Sequence, residues 1–483
     1  MLSIQLSDNN YSGSPLEISE NNVFPVKFAE LSEEQKSTIR KSLDTINKVS
    51  LKQLEERGAI IFPSRSVESE LNEESKVVCS VQGLETDNPI IKTTNIMGFF
   101  CIGNGVQISI YSRFDKSKKQ YFLHHMLQKV CNVSPTVELT HANKNPFYEF
   151  MVYLFPVFLK KAVAQGNFRS YVNREYNDSN ICGVIDFSRH IRYNIPCNGK
   201  VAYHTREYTQ DNFVTQIIRH TIEYISENQE LRKILSVDED MITAVQKIRG
   251  CTPTYNKASR LYIINKNLNS LTHPYYTEYE KLRNLCKMIL MHDKFSYNQT
   301  YHNQINGILF DGASLWEEYL TGLFQEYFKK NSASIIVEHP NNRTGRGKKY
   351  LFETESHSPN TAIYPDLIFR NLQNNYLSIL DAKYKHLENG SISREDYFQV
   401  LSYMYRFDCK RGILLYPYSD KESSPDTRLY LAGHNPEISF SVHGLELYDY
   451  DDNCGYKDFA SKMEINEDAF CNKIKETVLS KLL

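Results

Sequence analysis

Hydrophobic positions along the 483 residues change their period twice. Through roughly the first 140 residues they form short β-branched runs, at 59–62, 76–81 and 90–112, separated by turn residues as strands are. Gly103, Asn104 and Gly105 split the last run into 99–102 and 106–111, which predicts a hairpin; no helix start follows them, as a phosphate loop would need. Ser32 with Gln35 three residues on has capping-box spacing and opens a helix, and Gly58 is placed to stop the next one. From Pro146 to about 305 the spacing turns helical. Phe150, Tyr153, Leu154, Val157, Phe158 and Lys161 trace one face, and 211–225 and 276–291 repeat the pattern. Residues 183–187 and 201–207 interrupt it as strands. From about Asn306 helix and strand alternate, the order of an α/β domain. At roughly 150 residues per domain the length allows about three. The expected fold is therefore multidomain α+β: a β-rich N-terminal domain over 1–145, a mainly helical middle domain over 146–305, and a C-terminal α/β domain over 306–483.

Hydrophobic residues at 41% and charged residues at 24% exclude a disordered chain. With 56 Lys and Arg against 58 Asp and Glu the formal charge is −2, so a nucleic-acid partner would have to be met by local patches. The 33 Tyr and 25 Phe, beside a single Trp, read as core filling rather than a base-stacking platform. Ten cysteines lie at least 15 residues apart with no zinc spacing, and reduced, buried thiols are expected. No run approaches the roughly 18 apolar residues of a membrane span, and the first ten residues lack a secretory pattern. A cytoplasmic location follows as the expectation.

The chemistry concentrates at residues 364–384. Pro365 can begin a strand without an N–H, 367–369 is apolar, 371–375 is rich in Asn, and 376–384 returns as a second strand. Side chains alternate faces on a strand, so Asp381 and Lys383 point the same way. In a hairpin Asp366, at the start of one strand, meets Asp381 at the end of the other. Two acids and a lysine at one sheet edge suit metal-assisted phosphodiester hydrolysis. Asp366 and Asp381 would hold Mg²⁺, which polarises the phosphate and lowers the pKa of a bound water; Lys383 would orient that water or neutralise developing charge. An isolated Asp-x-Lys is common by chance; the Pro-Asp at this separation gives it weight.

Flanking helices add candidates. Leu315, Trp316, Tyr319, Leu320, Leu323, Phe324, Tyr327 and Phe328 form an apolar stripe, with Glu318 nearly opposite, as a solvated residue, and Glu317 on its flank, able to reach the sheet. Asp396, Gln399 and Tyr403 share one face of a helix over 394–405, where Gln399 could touch the scissile phosphate or a metal-bound water. Residues 412–417 read as a central buried strand. Arg343, Arg346, Lys348 and Lys349 make the one basic, Gly-bearing loop, a candidate DNA contact.

Pro365-Asp366 with Asp381-Ala382-Lys383 resembles the PD-(D/E)xK nuclease superfamily. More narrowly, Leu315 to Tyr319, Asp381 to Lys385 with Asp396, Gln399 and Tyr403, and Gly183 to Phe187 with Tyr203, Arg206, Glu207, Asp211 and Asn212 resemble McrC, the nuclease subunit of McrBC-type modification-dependent restriction systems. The resemblance spans about 90–420. It implies a PD-(D/E)xK fold for the C-terminal domain, a Mg²⁺-dependent endonuclease acting on double-stranded, modified DNA, and a hexameric AAA+ GTPase partner on which the N-terminal region docks and whose GTP hydrolysis it stimulates. No GxxxxGK[ST] is present in the chain, which agrees with GTP being bound by the partner. Two other functions stay open at this point: a self-sufficient restriction or repair nuclease, and a non-catalytic activator of a ring NTPase.

Overall fold

The computed structural model describes all residues except 1, 11–13, 16, 21–25, 63–76, 103–105, 116–118, 132–145, 230, 269–270, 272, 292–304, 333, 341–348, 388–391, 420–423, 434–437, 452–453 and 480–483. The chain divides into two compact units, Met1–Phe150 with Lys294–Leu483, and Met151–Asp293.

In the first unit a seven-stranded sheet runs in the order Val26–Lys27, Glu17–Glu20, Leu2–Ser7, Val106–Tyr111, Ile96–Ile102, Ile305–Asp311, Ile60–Phe62. Alternation along Leu2–Ser7 buries Leu2, Ile4 and Leu6, which join Phe100, Ile108 and Ile110 in a core with Ile39 and Leu43. The last two belong to helix Glu33–Ile46, where Ser32 and Gln35 form the capping box that their spacing predicts. Gly58, at a φ of 108°, follows helix Leu51–Glu56 as expected. Ile96–Ile102 and Val106–Tyr111 pair as the expected hairpin; its turn, 103–105, lies outside the described residues. Ile305–Asp311 pairs with Ile96–Ile102 on one side and Ile60–Phe62 on the other. Gly98 and Gly307 allow this approach, since a Cβ on either would stand 2.1 or 2.2 Å from a facing carbonyl oxygen. Residues 1–145 and 306–483, expected as separate domains, thus fall in one unit, with Ile305–Asp311 as the strand they share.

The second sheet of this unit has the order Ile335–Glu338, Leu367–Asn371, Tyr376–Ala382, Arg411–Ser419, Ser439–Leu447, Thr427–Tyr430. Tyr376–Ala382, Arg411–Ser419 and Ser439–Leu447 are parallel and the remaining pairings antiparallel. One face carries Ile368, Ile379, Leu414 and Tyr416 against Val400, Tyr403, Met404 and Phe407 of helix Arg394–Phe407. The other places Phe369 5.6 and 5.0 Å from Phe324 and Phe328 of helix Gly312–Asn331, with Phe470 of helix Tyr456–Leu479 stacked on Phe324. Helices on both faces explain why Arg411–Ser419 is apolar almost throughout, as a central strand. Gly412 lets the Arg394–Phe407 helix lie close: a Cβ there would stand 2.5 Å from Met404 Sδ and Val400 Cγ1.

The second unit is mainly helical. Phe213–Glu227, Glu239–Cys251, Arg260–Lys266 and Thr277–Met291 bury Ile217, Ile218, Met241, Leu282 and Leu285. Asn212 caps the first of them by accepting from Val214 and Thr215 N–H. A three-stranded antiparallel sheet orders Ser170–Asp178, Val201–Thr209, Val184–Ile185. The strand expected over 183–187 is shorter, because Asp186 accepts from Arg189 N–H and caps helix Phe187–Asn194. All ten cysteines are free thiols, but Cys182 and Cys197 are exposed, against the expectation of burial. No described helix is long and apolar enough to cross a membrane.

Candidate active site

Leu367 faces Leu380 in the hairpin, which sets Asp366 beside Asp381 one step further on. Asp366 Oδ2 accepts the Ala382 N–H at 2.7 Å, and the His339 ring nitrogen Nδ1 lies 2.6 Å from the Asp366 carbonyl oxygen. Asp381 shares the face of Ile379, the face that helix Arg394–Phe407 covers, and is buried. Lys383 continues the strand by donating its N–H to the Leu415 carbonyl, and its side chain returns to that same face. There Nζ lies 2.7 Å from Asp381 Oδ2, donates to Gln399 Oε1 at 2.7 Å, and stands 3.7 Å from Asp396 Oδ1.

Charge is concentrated here. Burial and the neighbouring Asp381 push the Asp366 carboxyl well above the usual carboxylate range. Glu317 is pushed the same way by burial, then by Asp366, Asp311 and Asp381. Burial also raises Asp381, with Lys383 opposing. Burial disfavours the Lys383 cation, yet Asp381 and its neighbours hold its pKa above the ordinary value. Asp381 Oδ2 is buried and its charge is met by the Lys383 ammonium at 2.7 Å. Crowded acids whose ionisation is opposed by burial and by one another fit a hard divalent cation held by Asp366 and Asp381. Among the described residues no group of three or more His, Cys, Asp or Glu is drawn to metal-holding geometry, so Glu317 faces the two aspartates without completing such a group.

The structure therefore brings together Asp366, Asp381, Lys383 and Gln399, with Glu317 in their electrostatic range. Glu318, expected as solvated, is half-buried. Arg343, Arg346 and Lys348 lie outside the described residues; Lys349 opens strand Lys349–Glu353 with its ammonium 4.8 and 4.1 Å from the ring centres of Tyr376 and Phe407. Sequence reasoning missed the polar support behind the site. Buried Asp396 accepts from Lys385 at 2.7 Å and from Tyr416 OH at 3.2 Å, and Gln399 donates to Tyr403 OH at 2.9 Å. The shared helix face of Asp396, Gln399 and Tyr403 was the available signal, and Lys385 falls in the stretch that carries the family resemblance; Tyr416, on another element, had none.

A family model described as McrBC 5-methylcytosine restriction system component matches residues 91–417. No curated protein matches the chain. Two solved structures of Thermococcus gammatolerans are similar to it. One, a refined half-complex from a tetradecameric assembly of McrB AAA+ hexamers with bound McrC, is 16% identical with a TM-score of 0.49, covering 98% of this chain and 100% of the other. The other, a McrBC complex, is 18% identical with a TM-score of 0.29, covering 66% and 86%. With the family model spanning more than half of its length, the chain belongs to the family of McrBC 5-methylcytosine restriction system components.

Proposed function

We propose that the chain is the nuclease subunit of a GTP-dependent, modification-dependent restriction system: a Mg²⁺-dependent DNA endonuclease with a PD-(D/E)xK domain over 306–483. The observation that carries this is the convergence of Asp366, Asp381 and Lys383 where the hairpin strands meet, with the Lys383 ammonium 2.7 Å from the buried Asp381 carboxylate. Asp366 and Asp381 would hold Mg²⁺, which when bound supplies a Lewis acid and a water of lowered pKa. Lys383, kept charged by Asp381, is placed to orient the attacking water and to neutralise charge growing on the phosphate. Gln399, tied to Tyr403, fixes the direction of that ammonium and can reach the phosphate alongside it.

Family membership supports a hexameric AAA+ GTPase partner that binds GTP; residues 1–145, rich in strands, are the part proposed to dock on it. The T. gammatolerans McrC is itself bound to AAA+ hexamers of McrB. Purification with an AAA+ GTPase of the McrB kind, followed by digestion of methylated and unmethylated plasmid, tests the proposal. Cleavage should require methylation, GTP, Mg²⁺ and both proteins. Cleavage by this chain alone would mean a self-sufficient nuclease, and stimulated GTP hydrolysis without any cleavage would mean a non-catalytic activator.

A further inference from the structure

The strand that bears Asp381 and Lys383 leaves its sheet at Tyr384, and Tyr384 is buried among residues of the N-terminal segment. Its hydroxyl lies 2.8 Å from Ser112 Oγ, and its ring meets Phe114 edge-on at 4.9 Å. Gly312 leaves room for that ring: a Cβ there would stand 2.7 Å from Tyr384 Cε1. The Tyr384 carbonyl accepts a hydrogen bond from Arg113 Nη2 at 3.0 Å. The same nitrogen donates to Asn95 Oδ1 at 2.7 Å and lies 3.3 Å from Asp8 Oδ2, while the guanidinium carbon sits 4.9 Å from the Tyr384 ring centre. Asp8 Oδ1 in turn accepts the Arg113 N–H at 2.6 Å.

The Arg113 side chain is 7% exposed and that of Asp8 is fully buried. A buried guanidinium costs several kcal/mol in lost hydration unless its partners compensate, and here Nε and Nη1 make no hydrogen bond. A charge this expensive is poorly explained by packing alone, since an apolar side chain would fill the space more cheaply. What it does supply is a donor to the backbone carbonyl one residue beyond Lys383, where sheet pairing has ended.

We infer that Arg113 is a positioning residue of the nuclease site: by clamping the Tyr384 carbonyl and ring it holds Lys383 in register with Asp381 and Gln399. This rests on the function proposed above. It makes cleavage depend on the N-terminal segment through a contact that touches neither DNA nor metal.

The test uses the full chain with its AAA+ partner, GTP and Mg²⁺, comparing wild type, Arg113→Gln, Arg113→Lys and Ser112→Ala, with Asp381→Asn as reference. A displacement of about 1 Å can cost roughly 100-fold in rate. Arg113→Gln should therefore lower kcat by about 10- to 100-fold with KM for DNA unchanged. Arg113→Lys, which keeps charge and one donor, should recover part of the loss. Ser112→Ala, which removes the partner of the Tyr384 hydroxyl and the acceptor of the Phe114 N–H, should lower kcat by a few-fold and keeps the test open if Arg113→Gln fails to fold. Wild-type kcat in folded Arg113→Gln, or in Ser112→Ala where Arg113→Gln does not fold, would overturn the inference. So would loss of cleavage in step with a rise in KM for DNA and a fall in melting temperature, which marks a purely structural role. Wild-type cleavage by Asp381→Asn would instead withdraw the nuclease assignment, and the inference with it.

Discussion

Asp366→Asn replaces a half-buried carboxylate by a neutral group of the same shape. The Ala382 N–H, 2.7 Å from Asp366 Oδ2, keeps an acceptor, so electrostatics decides the outcome. Two charges about 4 Å apart interact by about 4 kcal/mol at an effective dielectric near 20. Burial and repulsion from Asp381 oppose the Asp366 charge while the Ala382 N–H and Lys383 favour it, leaving a net relief on the order of 1–2 kcal/mol. Burial and Asp381 raise the Asp366 pKa above its ordinary 3.8. A raised carboxyl pKa stabilises the fold fully below the unfolded-state value and loses that contribution as pH climbs through the folded value. Asn does not titrate, so the variant should match wild type near pH 4 and melt a few degrees higher at pH 8 without metal. Saturating Mg²⁺ reverses the order: binding at 100 times Kd stabilises wild type by about 2.7 kcal/mol, and the variant should gain far less. Calorimetry at the two pH values, with and without Mg²⁺, measures both. A variant less stable than wild type at pH 8 without metal, or one stabilised equally by Mg²⁺, would refute the crowded-acid account of this site.

Three further outcomes follow from named contacts. Gly412→Ala drives a Cβ into Met404 Sδ and Val400 Cγ1 at 2.5 Å, and should cost about 1–3 kcal/mol by urea unfolding and slow cleavage by shifting the Gln399 helix; unchanged stability would mean that helix is not seated on the strand. Burial opposes the Glu467 charge, but His125 at 2.6 Å and Lys129 outweigh it and hold the carboxyl at about 2, so its contribution is present above about pH 4.5 and fades as pH falls towards 2. Glu467→Gln should therefore lose about 3–5 kcal/mol at pH 7 and nothing near pH 2, and an equal loss at both would point to packing instead. Replacing Arg343, Arg346 and Lys348 by Ala should weaken DNA binding and flatten the dependence of log affinity on log salt; an unchanged slope would make the loop a solvated surface.

What the sequence disclosed was local. Pro365, the apolar 367–369 and the Asn-rich 371–375 name a hairpin because each constrains its own backbone, and the observed register puts Asp366 and Asp381 side by side as two-residue alternation requires. Ser32 with Gln35 fixed a helix start for the same reason. What stayed hidden was long-range. Nothing near Ile305–Asp311 indicates that it pairs with strands some 200 residues earlier. The support of Lys383 by Asp396, and of Tyr384 by Arg113, likewise joins segments whose sequences carry no mutual mark. Glu318 was misplaced because helical angle alone assumes a single buried face, whereas helix Gly312–Asn331 is packed on more than its apolar stripe.

The central claim is that Asp381 belongs to a metal-dependent nuclease site, and Asp381→Ala addresses it most directly. The variant is purified with the AAA+ partner and assayed on methylated plasmid with GTP and Mg²⁺, with GTP hydrolysis followed in the same tubes. The account predicts that cleavage disappears while stimulation of GTP hydrolysis and assembly with the partner remain at the wild-type level. Cleavage near the wild-type rate would contradict it.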